Sequence, residues 1–265
     1  MTETLEQLIG GITRQDPSSV ELGLQTILIF GDAGTGKTTL AADFPDHFFV
    51  DTESGAKNRA ISTAKNPVKT WARFRDIVTA LEQQPKDIPF KTLIVDTVDG
   101  LWKLCRAHCH AEMIAAGEDP ETAKWGRKYT VPREEFQQTI DKLLWLHDKG
   151  FMGTVLIAHE HKETIVTPLK EIIKFRPQVD DNHHREELPK SMQMVLWARR
   201  LDQHPLTMDK WDRQRFLLQS AVLDVDSVVK DRSNRLPALV PMDYASLEKA
   251  YNTKTEPKTK KEKAS

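Results

Sequence analysis

"GDAGTGKTTL", residues 31–40, is the stretch on which the fold turns: three glycines in its first six residues, then a lysine and two threonines. Upstream, Gln25-Thr-Ile-Leu-Ile-Phe30 is a short apolar run rich in β-branched residues, the pattern of a buried strand. Downstream, Lys37 to Asp43 is rich in helix formers, so a helix is expected to begin near Gly36. Strand, glycine loop and helix match the spacing G-x-x-x-x-G-K-[ST] at Gly31, Gly36, Lys37 and Thr38. The chemistry needs these residue types. Glycines let the backbone turn tightly and aim successive N–H groups inward as an anion nest. The helix N-terminus adds free donors and partial positive charge. The pattern predicts a triphosphate, taken as ATP, cradled by Gly31, Asp32, Ala33, Gly34, Thr35, Gly36, Lys37, Thr38 and Thr39. Lys37 can reach the β- and γ-phosphates, and the Thr38 hydroxyl can ligate Mg²⁺.

Working outward, strands and helices alternate. His47-Phe-Phe-Val50 reads as a second strand, ending at Asp51-Thr-Glu53. Trp71 to Gln83 is helical, with Trp71, Phe74, Ile77, Val78 and Leu81 on one face. Thr92-Leu-Ile-Val95 is a third buried strand ending at Asp96, and a helix spans 100–116. A polar loop follows from Gly117, then a helix over 132–149, then a fourth strand, Thr154-Val-Leu-Ile-Ala158, ending at His159. Such alternation predicts right-handed βαβ units and a mostly parallel sheet flanked by helices. Residues 160–190 read as less regular, 215–229 as further antiparallel strands, and Asp243 to Tyr251 as a closing helix. The expected organisation is one α/β domain over 1–251, with a peripheral N-terminal helix within 1–20. The tail, 252–265, has five lysines, two glutamates and no large apolar residue, the composition of a disordered segment.

Composition sets the surroundings. The chain has 265 residues, 39 % hydrophobic and 29 % charged, as in globular proteins. A net charge of −1 argues neither for nor against nucleic acid. No apolar run approaches the roughly 18 residues that span a bilayer, so no membrane partner is expected. The two cysteines, Cys105 and Cys109, lie four apart on a helix, and a reducing cytoplasm fits them. A zinc reading of Cys105, His108, Cys109 and His110 lacks a second Cys/His pair at the required spacing. His183-His184 reads as a solvated loop.

In parallel sheets ligands sit beyond the carboxyl ends of the strands, which singles out Asp96, Glu53 and His159. Asp96 is expected to organise Mg²⁺ together with Thr38. Glu53 could orient or deprotonate an attacking water, with Asp51, two residues earlier on the same side of the strand, as the lesser candidate. His159 could sense the γ-phosphate and move the next loop.

The chain resembles the phage-type RecA-like ATPases, AAA-domain nucleotide-binding proteins that include phage single-strand annealing and recombination ATPases. The matching pieces are "GDAGTGKTTLA", "FPDHFFVDTESG", "TLIVDTVDGL", "WGRKYTVPREEFQQTIDKLLWLHDKGFMGTVLIAHEHKE" and "VVKDRSNRLP", together spanning roughly residues 24–240. The resemblance implies a RecA-like P-loop NTPase core that forms a homo-oligomer with ATP at subunit interfaces. It implies a catalytic set of Lys37, Glu53 as the water-activating residue, His159 as the sensor, and Lys230 and Arg232 as cations reaching a neighbour's γ-phosphate. One departure is Ser233-Asn234-Arg235, where a glycine-containing turn is usual in the family, although asparagine tolerates left-handed backbone. The resemblance further implies single-stranded DNA as partner, through the 160–190 segment, in recombination or annealing in a bacterial host cytoplasm. It admits a single-strand-binding protein as a second partner. The alternatives are a nucleotide-gated replication accessory or helicase loader without DNA contact, and a P-loop small-molecule kinase.

Overall fold

The computed structural model describes residues 20–56, 60–65, 67–166, 171–203, 210–218 and 226–253. The N-terminal helix expected within 1–20 and the tail from 254 onward lie outside the described residues.

The first half of the chain follows the expected alternation: β1 (Thr26–Gly31), α1 (Lys37–Ala42), β2 (His47–Asp51), α2 (Trp71–Gln83), β3 (Thr92–Asp96), α3 (Val98–Ala115), α4 (Arg127–Asp148) and β4 (Gly153–Val166). The second half comprises β5 (Glu171–Pro177), α5 (Asn182–Ser191), β6 (Met194–Gln203), β7 (Lys210–Leu218), β8 (Asp226–Ser227), β9 (Lys230–Asp231), β10 (Leu239–Pro241) and α6 (Tyr244–Asn252). The main sheet runs β10-β7-β6-β1-β4-β3-β2. Its five strands from β6 to β2 are parallel, and β7 and β10 add antiparallel edges. This is the RecA-like P-loop NTPase fold class expected, antiparallel C-terminal strands included.

Both sheet faces are covered, which is why the central strands read as continuous apolar runs. Leu28 and Phe30 of β1 point to one core with Trp71, Phe74, Trp102, Phe136 and Leu143 from α2, α3 and α4. Ile27 and Ile29 alternate to the other face, where Leu40 of α1 and Leu247 and Tyr251 of α6 pack. Cys105 and Cys109 are free, buried members of the first core, which accounts for them without zinc.

Three segments depart from expectation. Helix α4 begins five residues before Pro132 rather than at it. Proline lacks the N–H that would bond the carbonyl four residues back. That carbonyl, of Lys128, is met instead by His110 Nε2 at 2.9 Å. Second, β4 does not stop at His159 but runs on to Val166, and its residues 160–166 pair antiparallel with 171–177 of β5 rather than forming irregular chain. Third, His183-His184 is not a solvated loop. It lies in α5, capped by Asp181, whose side chain accepts from His184 N–H, and His184 is 1 % exposed.

Candidate functional site

The register of the sheet builds the site. Because β4 lies between β1 and β3, Gly31 sits beside His159, and Asp96 is paired with Ile157 on the far side of the same strand. Asp51 of β2 is in turn beside Asp96. The carboxyl ends of β1, β2 and β3 thus converge beside His159 of β4, where the loop leads from β1 into α1.

The glycine loop needs its glycines for different reasons. At Gly31 a Cβ would lie 2.3 Å from the carbonyl oxygen of Ala198 on β6, so only a bare backbone passes there. Gly36 caps α1 with φ 105°, a left-handed conformation that side chains resist. Lys37 is buried, and its ammonium donates to the carbonyls of Gly31 at 2.7 Å and Asp32 at 2.8 Å. Burial holds its pKa below the usual lysine range, against the opposing pull of Asp96 and Asp32. A carbonyl-bound, partly desolvated cation at the mouth of an inward-turned loop is suited to exchange those carbonyls for phosphate oxygens.

Thr38 Oγ1 donates to Asp96 Oδ2 at 2.6 Å. Burial pushes the Asp96 carboxyl up, and the Thr38 bond partly opposes that shift. A hydroxyl and a carboxyl oxygen held together at a buried strand end match the donor set Mg²⁺ takes beside a nucleotide.

Opposite stands Glu53. Its Oε1 accepts from Thr97 Oγ1 at 2.8 Å, and its Oε2 lies 3.2 Å from His159 Nε2. Burial works to raise its pKa, but the bonds from Thr97 and His159 outweigh it and keep the carboxyl below its ordinary value. Thr97 is also the N-cap of α3, accepting from Gly100 N–H at 3.2 Å, and the Asp96–Thr97 peptide is cis. Thr52 ties the two strand ends together by accepting from Thr97 N–H at 2.9 Å.

These groups surround a cavity of about 280 Å³ lined by Ala33, Gly34, Gly36, Lys37, Thr38, Thr39, Asp51, Glu53, Gly55, Asp96, Thr97 and His159. Most of the residues singled out in the sequence are therefore brought together. Gly31, Asp32 and Thr35 shape the loop from behind; Thr35 Oγ1 donates to Asp32 O at 2.9 Å. Lys230 and Arg232 are not at this cavity. Lys230 pairs with Val195 near the start of β6, whereas the loop lies beside Ala198 farther along that strand, roughly 10 Å at ordinary strand rise. Lys230 donates to the carbonyls of Pro189 and Lys190 at 2.6 and 2.9 Å, and Arg232 to Lys190 O at 2.7 Å, closing the C-terminal end of α5. Burial and the neighbouring Arg232 lower the Lys230 pKa to about 8.

Sequence reasoning missed three residues and the part played by a fourth, Asp51, which it weighed only beside Glu53 for activating water. Asp51 accepts from the N–H groups of Glu53, Gly55 and Ala56, so it shapes the loop that carries Glu53. The run Asp-Thr-Glu-Ser-Gly is the signal for such an Asx turn. A threonine such as Thr97 directly before a helix start is a capping signal. Arg200 of β6 donates to Gly34 O of the loop, and Asp99 lies buried beside Glu53. Both are delivered by tertiary structure, with no local signature.

The family described as AAA domain matches residues 24–216. No curated protein matches the chain. Among solved structures, the KaiC-like protein PH0186 from the hyperthermophilic archaeon Pyrococcus horikoshii OT3 aligns at 16 % identity. It covers 83 % of this chain and 85 % of its own, with a TM-score of 0.42. The RadB recombinase aligns at 14 % identity over 91 % of this chain and 94 % of its own, with a TM-score of 0.45. At these values the likeness is one of chain outline only. Among the described residues no helix is long and apolar enough to cross a membrane.

Proposed function

The chain belongs to the AAA domain family, and we propose that it binds and hydrolyses ATP with Mg²⁺, as a RecA-like oligomer acting on single-stranded DNA. The observation that carries the nucleotide half is the Thr38–Asp96 bond at 2.6 Å, set across one cavity from the Glu53–His159 pair. One pair is suited to the metal, the other to the attacking water. Mg²⁺ held by Thr38 and Asp96 would neutralise developing phosphate charge. Lys37 and the loop N–H groups bind and orient the triphosphate. Glu53, fixed by Thr97 and kept ionised, accepts the proton of the attacking water, and His159 bonds the same carboxylate and so couples its position to β4.

Lys230 and Arg232 belong to this reading as cations offered to the triphosphate of a neighbouring copy. Their distance from the loop of their own chain is what such a role requires. The DNA half rests on the sequence resemblance, with the β4–β5 pair as the contacting element and a phage recombination or annealing setting in the host cytoplasm.

A second reading, a nucleotide-gated accessory ATPase without DNA contact, is favoured by one observation. Two cations of the 160–190 segment are paired with acids: Arg176 with Glu163 at 3.5 Å and Glu186 at 3.1 Å, and Lys190 with Glu187 at 2.6 Å. Calorimetry with Mg·ATP, followed by turnover with and without a single-stranded oligonucleotide, separates the cases. DNA-stimulated turnover with a rise in particle mass supports the first reading. Nucleotide-dependent assembly with no DNA affinity supports the second, and no heat with ATP overturns both.

A further inference from the structure

Asp99, on the first turn of α3, is 1 % exposed, and its Oδ1 is buried with no hydrogen-bond partner among the described residues. A buried acid with an unmet acceptor calls for a donor or a cation. Asp99 also stands beside two other metal-ligating side chains. One ligand atom from each of Glu53, Asp99 and His159 lies within 4.8 Å of the others, the one such group among the described residues.

We propose that Glu53, Asp99 and His159 form a binding site for a first-row divalent cation of the Zn²⁺ class, distinct from the Thr38–Asp96 pair. The donor set decides the class. Two carboxylates balance a divalent charge, and an imidazole nitrogen favours Zn²⁺ and its neighbours over Mg²⁺ or Ca²⁺, which prefer oxygen alone. The spacing is also suitable. Zinc holds N and O ligands at about 2.0–2.2 Å, so two ligands at a tetrahedral angle sit roughly 3.4 Å apart. His159 Nε2 and Glu53 Oε2 are 3.2 Å apart, with the Glu53 carboxylate already fixed through its other oxygen by Thr97. A ligand atom of Asp99 lies within 4.8 Å of the other two, so Asp99 must move nearer for the set to close. Water or an oxygen of the bound nucleotide takes the fourth position.

The consequence is regulatory. An ion seated on Glu53 and His159 occupies the lone pairs through which Glu53 would take a proton from water, so it silences hydrolysis while leaving the loop, Lys37 and Thr38 free for ATP. This half rests on Glu53 serving hydrolysis; the binding half does not.

The two halves are tested on the nucleotide-free full chain. Co²⁺ is titrated while its visible d–d bands are recorded, and Zn²⁺ binding is measured by displacement of Co²⁺. One equivalent is expected to give the intense bands of a four-coordinate ion. Asp99→Asn and His159→Gln, both near-isosteric, should each weaken binding at least tenfold. Equal affinity in wild type and Asp99→Asn, or no binding to wild type, overturns the site. In the second measurement Zn²⁺ is added to ATP turnover in excess Mg²⁺. Inhibition of wild type at a Zn²⁺ concentration at least tenfold below that needed for Asp99→Asn supports the regulatory half, and identical inhibition overturns it. If the protein hydrolyses no ATP while the Co²⁺ bands appear and respond to Asp99→Asn, the hydrolytic reading has failed and the metal site stands.

Discussion

Thr97 Oγ1 donates to Glu53 Oε1 at 2.8 Å while accepting from Gly100 N–H at 3.2 Å, so one hydroxyl both starts α3 and aims the carboxylate at the end of β2. Thr97→Val keeps the shape and removes both bonds. Loss of the cap should lower stability by about 1 kcal/mol. Release of Glu53 should lower kcat for ATP on the order of tenfold with KM little changed, since the loop is untouched. Thr97→Ser should restore both. A kcat loss that Thr97→Ser does not rescue would mean that the hydroxyl does not position Glu53.

Glu53→Gln removes the proton acceptor but keeps a group that can bond Thr97. Binding of Mg·ATP, read by calorimetry, should persist, and turnover should fall by about 10² or more, the usual contribution of a general base. Near-normal turnover would remove Glu53 from this role.

Lys37→Ala acts on binding instead. The ammonium is the buried cation of the loop, bonded to the carbonyls of Gly31 and Asp32. Deleting it leaves the cradle without its point charge, and the heat of Mg·ATP binding should disappear while the circular dichroism spectrum stays that of wild type. Retained affinity would show that the loop amides suffice.

How much of this could be read beforehand depends on what is local. Strands β1 to β3 and the core of β4 were legible because burial on both faces writes an apolar run into consecutive residues. The glycine loop was legible because its function lies in adjacent backbone. The β4–β5 pairing was not. Beyond Ala158 the strand continues as His159-Glu160-His161-Lys162-Glu163, held by cross-strand pairing rather than by a buried face, so no apolar alternation marks it. The start of α4 was hidden by Pro132, whose cost is met by a distant histidine. The burial of His184 was hidden by its polar neighbours, since only His184, Leu188 and Pro189 of α5 are buried.

Asn234 adopts φ 54°, the left-handed state anticipated for the turn that replaces a glycine. Asp231 holds that turn. Its Oδ1 accepts from Ser233 N–H at 2.9 Å, and its Oδ2 accepts from the N–H groups of Arg235 and Leu236, each at 2.9 Å. Arg232 sits inside this frame. Arg232→Ala should leave ATP binding intact and slow turnover in assemblies. Mixing it with Glu53→Gln should restore part of the activity, because some interfaces then pair an intact arginine with an intact glutamate. No recovery at any mixing ratio would place Arg232 outside a neighbour's site.

Acid should destabilise the fold through His184. Its ring packs against Trp102 and Phe136, with centroids 5.0 and 4.8 Å away. Burial lowers its pKa from 6.5 to about 4, with Asp181 opposing the shift and His183 and Arg133 adding to it. Between pH 6.5 and about 4 the unfolded chain binds a proton that the folded chain refuses, so stability is held above pH 6.5 and declines as the pH falls through that window. Between about pH 7 and 4.5 the loss from this one group should be about 2–3 kcal/mol, since one proton is worth about 1.36 kcal/mol for each pH unit crossed. His184→Leu keeps an apolar side chain in the same surroundings and removes the titration. Urea unfolding of the two proteins at the two ends of that range should show wild type losing that much more than the variant. Parallel losses would mean that the imidazole takes up its proton within the folded core, which the aromatic contacts and an Nε2 with no partner among the described residues argue against.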